Sequence, residues 1–198
     1  MVWDELGRDA DSANQRDRDR LIGVYIAVLA VLLALCTMGG GNAAKEATLK
    51  NIEATNLWAF FQAKNLRRQA LRLQVDQLEI LRDSDPSLPD SARTAIEAKL
   101  ADYKTQDALL TSDKERNEGL DELFTRAKAL EAERDTAIER DPYFDYGEAF
   151  LQIAIVLAGV AIISGGSTVL IASGIVATIG TLLTLNGFTL FLPFPFFG

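Results

Sequence analysis

Adjacent carboxylates are the first residues here whose types could do chemistry. Asp121 and Glu122 sit side by side, and paired acids can shuttle protons or hold a divalent cation. A second candidate is the run Gly39-Gly40-Gly41 shortly before Lys45, which has the look of a phosphate-cradling loop. That reading fails, because Ala44 precedes Lys45 and no Ser or Thr follows it. A third is Cys36, the single cysteine, set in an apolar run. The chain has no histidine, which removes Ser–His–Asp and Cys–His catalysis and Cys/His zinc sites. Asp121 and Glu122 lie on a strongly charged helical stretch, where a solvated face is the simpler explanation. No catalytic, cofactor-binding or metal-binding residue is assigned, and the chain is expected not to be an enzyme.

The elements around these residues are more informative. The net charge of −8 argues against a nucleic-acid partner. No charged side chain occurs between Ala149 and Gly198, a distribution foreign to soluble domains. Residues 1–20 form a polar tail. Residues 21–38, an uncharged run of about 18, are close to the shortest helix that crosses a hydrocarbon core. A signal-peptide core, or a lipoprotein signal ending at Cys36, would look similar. Leu35 is too bulky for the position before a lipidated cysteine, so a retained membrane helix is expected. Gly39-Gly40-Gly41-Asn42 is expected to stop that helix.

Residues 39–147 read as an extramembrane helical hairpin. Asp83-Ser84-Asp85-Pro86-Ser87-Leu88-Pro89-Asp90-Ser91 interrupts them, since two prolines among Asp and Ser end one helix and begin another. Before this break, Leu49, Ile52, Leu57, Phe61, Leu71, Val75 and Leu78 recur at helical spacing. Leu66, Ala70, Leu73 and Ile80 form a second stripe, more than one two-stranded seam requires. Trp58, Phe60 and Phe61 are the bulkiest cluster, read as a plug between the arms or as a docking site. After the break, Ile96, Leu100, Tyr103 and Leu110 make one stripe, and Leu120, Leu123, Ala127 and Leu130 a shifted one. The capping-box spacing of Ser112 and Glu115, with Gly119 following, predicts a kink or gap between Thr111 and Gly119.

Asp141-Pro142 is expected to end the hairpin, with Tyr143, Phe144 and Tyr146 at a bilayer interface. Residues 148–164 and 168–187 read as two further membrane helices joined by Ser164-Gly165-Gly166-Ser167, the last one broken or kinked at Asn186-Gly187. Small residues four apart occur at Ala30 and Ala34, at Ala154 and Ala158, at Ser173 and Ala177, and at Gly180 and Thr184, a spacing that lets helices approach closely in lipid. Residues 188–198 form a tail rich in Phe and Pro; Phe194, Phe196 and Phe197 are candidate contacts there. Arg16, Arg18 and Arg20 favour a cytoplasmic N-terminus and a periplasmic hairpin.

Three stretches resemble a known family: Glu53 to Lys64 (EATNLWAFFQAK), Ala129 to Asp135 (ALEAERD) and Leu151 to Ala158 (LQIAIVLA). With the order span, hairpin, two spans, they are similar to the bacterial membrane family of domain of unknown function 4337. That family places basic residues between its last two spans, where this chain has Ser-Gly-Gly-Ser. The resemblance implies an all-α, three-span architecture in the bacterial inner membrane and supplies no activity. The expected function is that of a structural or accessory membrane protein, without cofactor. It would self-associate or dock onto a larger membrane complex through the interface candidates Trp58, Phe60, Phe61, Leu66, Leu73, Ala30, Ala34, Ala154, Ala158 and the three tail phenylalanines. An oligomeric channel or transporter is the alternative.

Overall fold

The computed structural model describes residues 2–192, with side chains from residue 15 onward. Four helices account for nearly all of it: α1 (Val2–Ser84), α2 (Asp90–Thr111), α3 (Leu120–Ser164) and α4 (Ser167–Thr189). The described residues contain no strand. Three helices are long and apolar enough to cross a membrane: α1 from Gln15 onward, α3 and α4. The chain divides into two compact units, Met1–Ala47 with Asp135–Gly198, and Thr48–Arg134.

Three local signals fall where they were read. The Asp-Pro-Ser-Leu-Pro stretch separates α1 from α2, with Asp85 accepting from the backbone N–H and hydroxyl of Ser87 at 2.9 and 2.6 Å. Residues 112–119 separate α2 from α3. The expected capping box is not what closes that gap. Glu122, in the first turn of α3, reaches back to accept from the Ser112 hydroxyl at 2.6 Å and the Asp113 N–H at 3.1 Å. Asn117 takes the left-handed conformation within the loop. The third signal, Ser164 to Ser167, is the turn between α3 and α4, with Gly165 at φ 65°.

Four expectations are corrected. α1 begins at Val2, so the segment read as a tail is helical. It then runs through Gly39-Gly40-Gly41-Asn42 without a stop. α3 continues through Asp141-Pro142 to Ser164. α4 is not broken at Asn186-Gly187 and ends at Thr189, with Leu190 left-handed as its cap. The glycine run and the Asn-Gly pair carry the same physical reason. Glycine weakens a helix by about 1 kcal/mol, but close packing against a neighbour and the need to keep backbone bonds within an apolar segment outweigh that. Pro142 removes one helical N–H, yet Tyr143 and Phe144 beside it are 1% and 3% exposed, so the turn is held by its contacts. Those two rings are buried within the chain; Tyr146 is half exposed.

In the unit Thr48–Arg134, Ala54 and Leu71 of α1 are buried with Ile96 and Leu100 of α2 and Leu120, Leu123 and Ala127 of α3. Polar pairs flank this core. Glu79 meets Lys104 at 2.9 Å, Arg72 forks onto Asp107 at 2.8 and 3.0 Å, and Arg68 reaches Thr111 at 3.3 Å. Lys64 meets Glu118, Trp58 meets Glu131 at 2.8 Å, and Lys50 meets Glu133 at 2.7 Å. Partner numbers rise along α2 and α3 as they fall along α1.

Candidate functional site

In the unit formed by the two chain ends, Phe144 of α3 is the central side chain. Gly39 and Gly40 of α1 and Gly187 of α4 surround its ring, and Phe188 meets it edge-on with centroids 4.9 Å apart. A Cβ at Gly39 would lie 2.5 Å from the Phe144 ring, and one at Gly187 would lie 2.9 Å from it. The glycines are thus a socket for an aromatic ring, a role their sequence run does not announce. One turn further along α3, Gly147 faces Thr184, Cys36 and the Gly180 carbonyl. Cys36 is fully buried, and its thiol donates to the Phe144 carbonyl at 3.2 Å. That placement makes it a packed, bonded group shielded from solvent.

Ser173 and Asn186, buried polar side chains of α4, are satisfied internally, as apolar surroundings require. Ser173 donates to the Ala154 carbonyl at 2.7 Å and lies 3.2 Å from the Tyr25 hydroxyl. Asn186 both donates to the Leu192 carbonyl and accepts from its N–H. At the other end of the same unit, Arg18 donates to the Gly165 and Ala161 carbonyls at 2.8 and 3.3 Å. These are free carbonyls at the C-terminus of α3, where a cation is favoured. The uncharged Ser-Gly-Gly-Ser turn therefore receives its positive charge from the start of α1.

The small-residue pairs separate on inspection. Ala154 and Ala158 are fully buried, with Ser173 and Ala177 close behind, so they pack helices of one chain together and leave no surface there for a second. Ala30 and Ala34 are exposed.

In the unit Thr48–Arg134, Trp58 stands edge-on to Phe61 and to Phe124, with centroids 5.5 and 5.6 Å apart. Its indole N–H donates to Glu131, and Lys128 sits over the ring. Phe124 is the member of this cluster that sequence reading missed; it lies off the stripe of Leu120, Leu123 and Ala127. Phe60 faces away, 41% exposed, with the Lys64 ammonium 5.0 Å from its ring centre. Leu66 and Leu73 are 65% and 63% exposed. A groove of about 780 Å³ beside Phe60 is lined by Lys64, Arg67, Arg116, Asp113, Glu115 and Glu118, three cations against three anions. Phe194, Phe196 and Phe197 lie outside the described residues.

Electrostatics here stabilise carboxylates in their charged form. The Arg72 guanidinium holds Asp107 below the usual range, the Ser112 hydroxyl does so for Glu122, and Lys128 followed by Trp58 does so for Glu131. A lowered Glu122 is the reverse of what a general acid needs. Asp141 moves upward, first through burial and then through the neighbouring Asp145 charge. Among the described residues no three Asp, Glu, Cys or His side chains gather as metal ligands would.

These helices define a class: an all-helical protein with three helices able to cross a bilayer by length and composition. Within that class the chain belongs to the family described as domain of unknown function 4337, whose model matches residues 18–190. No curated protein matches it, and no solved structure does.

Proposed function

We propose that this chain is a structural or accessory protein of the bacterial inner membrane that self-associates or docks onto a larger membrane complex. Three spans (21–38, 148–164 and 168–187) would anchor it, and residues 39–147 would form a coiled-coil-like antiparallel hairpin. The opposed numbering of the pairs Glu79–Lys104, Arg72–Asp107 and Lys50–Glu133 supports that arrangement. The observation that carries the functional reading is the exposure of Leu66, Leu73 and Ile80, each above 60%, on a charged helix outside the apolar segments. Large apolar side chains standing in a row in water mark a contact surface.

Arg16, Arg18 and Arg20, just before the first span, support a cytoplasmic N-terminus and a periplasmic hairpin. The channel or transporter reading draws less support. Ser173, Thr184 and Asn186, the buried polar side chains of α4, each bond within their own chain. Extraction from native membranes followed by native mass measurement tests the proposal. A particle heavier than the 21.6 kDa chain is expected, and a bare monomer would sink it.

A further inference from the structure

α1 can be counted in sevens. With Leu49 as position a, every α1 side chain between Thr48 and Ser84 named above as bonding α2, α3 or the loop between them falls on b, c or f: Lys50, Trp58, Lys64, Arg68, Arg72 and Glu79. The buried Ala54 and Leu71 fall on f and b. One side of the helix is thus fully used by its own chain.

The other side carries a second register. Its d positions are Ile52, Ala59, Leu66, Leu73 and Ile80, and its a positions are Leu49, Asn56, Ala63, Ala70 and Gln77; all ten are exposed. Five successive d layers of apolar residues at a strict seven-residue repeat make a coiled-coil seam. We propose that the occupant of this seam is α1 of a second copy of this chain, parallel and in register. The inference rests on the membrane-anchored, associating reading above and names the partner.

Three arguments select a second copy over a foreign helix. Copies inserted the same way in one bilayer present this stretch at equal height and in the same direction, so identical a and d layers meet their own counterparts. Asn56 and Gln77 at a positions can bond their own equivalents across such an interface, the known device for fixing parallel register. An apolar foreign helix would leave those amides unpaired. The flanking charges also agree. In parallel register Gln62 faces Arg67 of the second copy, Gln69 faces Gln74, Asp76 faces Leu81, and Thr48 faces Glu53; no like charges meet. A strip about 48 Å long and about 10 Å wide buries roughly 480 Å² per copy, short of the roughly 800 Å² typical of freely diffusing partners. Anchoring both copies in one membrane raises their effective concentration and closes that gap.

Single-cysteine variants Ile52→Cys and Ile80→Cys, in a Cys36→Ala background, test this in native membranes under mild oxidation. Both should give a band at twice the chain mass, forming about ten-fold or more faster than for Lys99→Cys on α2. Adding Leu66→Glu and Leu73→Glu should suppress the Ile80→Cys band about ten-fold while leaving the helical circular dichroism at room temperature unchanged, because both leucines are exposed in the single chain. Crosslinking only between the two variants in a mixed sample would mean an antiparallel pair and overturn the proposal. No crosslink at either site overturns it too. In that case a native particle heavier than one chain would leave the broader association reading standing, and a monomer would end both.

Discussion

Gly39 and Phe144 approach so closely that no side chain fits between them. A Cβ at position 39 would stand 2.5 Å from one ring carbon and 2.9 Å from Phe188, so the ring is hemmed in on two sides. Gly41, two residues on, has nothing within 4 Å of its missing Cβ. The same substitution should then act in opposite senses. Gly39→Ala is expected to destabilise by about 1–3 kcal/mol through overpacking. Gly41→Ala is expected to stabilise by about 0.5–1 kcal/mol through helix propensity. Thermal unfolding in detergent measures both, and a loss at Gly41 equal to that at Gly39 would contradict the socket.

Trp58 should be the most sensitive side chain of the unit Thr48–Arg134. Trp58→Ala removes edge contacts with Phe61 and Phe124 together with the bond to Glu131. A loss of about 3 kcal/mol is expected for a large aromatic that is mostly packed. Trp58→Phe keeps a ring in place and should lose less than half as much. Phe60→Ala, on an exposed ring, should leave the melting temperature within about 1 °C of the parent, since surface changes fall within about 0.5 kcal/mol.

Acid should loosen the same unit. Asp107, Glu122 and Glu131 have folded pKa values below their unfolded ones. On acidification the unfolded chain takes up protons first, so their stabilisation is complete above the ordinary carboxylate range and is lost below roughly pH 4. Asp141 has the opposite sign: its raised value favours the protonated form in the folded state, a contribution present at low pH and lost as pH rises through the folded value. Asp141→Asn should therefore raise the melting temperature at pH 7 and change it little at pH 3. Melting curves across pH 3–7 test both signs.

Arg18 should hold the turn between α3 and α4. Arg18→Ala frees the carbonyls of Ala161 and Gly165 and removes the cation from an uncharged helix end. Faster reaction of a Ser164→Cys thiol with a water-soluble maleimide is the expected readout. Arg18→Lys should recover only part, since an ammonium lacks the two-pronged geometry that spans both carbonyls. An unchanged rate in both variants would remove Arg18 from this role.

What was legible in the sequence was set by local chemistry. The paired prolines at 86 and 89 among Asp and Ser, the gap between Thr111 and Gly119, and the Ser-Gly-Gly-Ser turn were legible because several residues that disfavour helix cluster at each. The absence of charge after Glu148 marks apolar segments by composition alone. Two matters needed the tertiary structure. Whether Gly39 to Asn42 would break a helix depended on what lay opposite, where Phe144 of a distant segment packs on Gly39 and Gly40. The two stripes of α1 were visible as stripes, but not which members its own chain covers: Leu49 and Ile52, read with the first stripe, are exposed like Leu66, Leu73 and Ile80 of the second. Burial is decided by residues far apart in sequence, and only the folded chain brings Leu71 against its core and leaves Leu73 exposed.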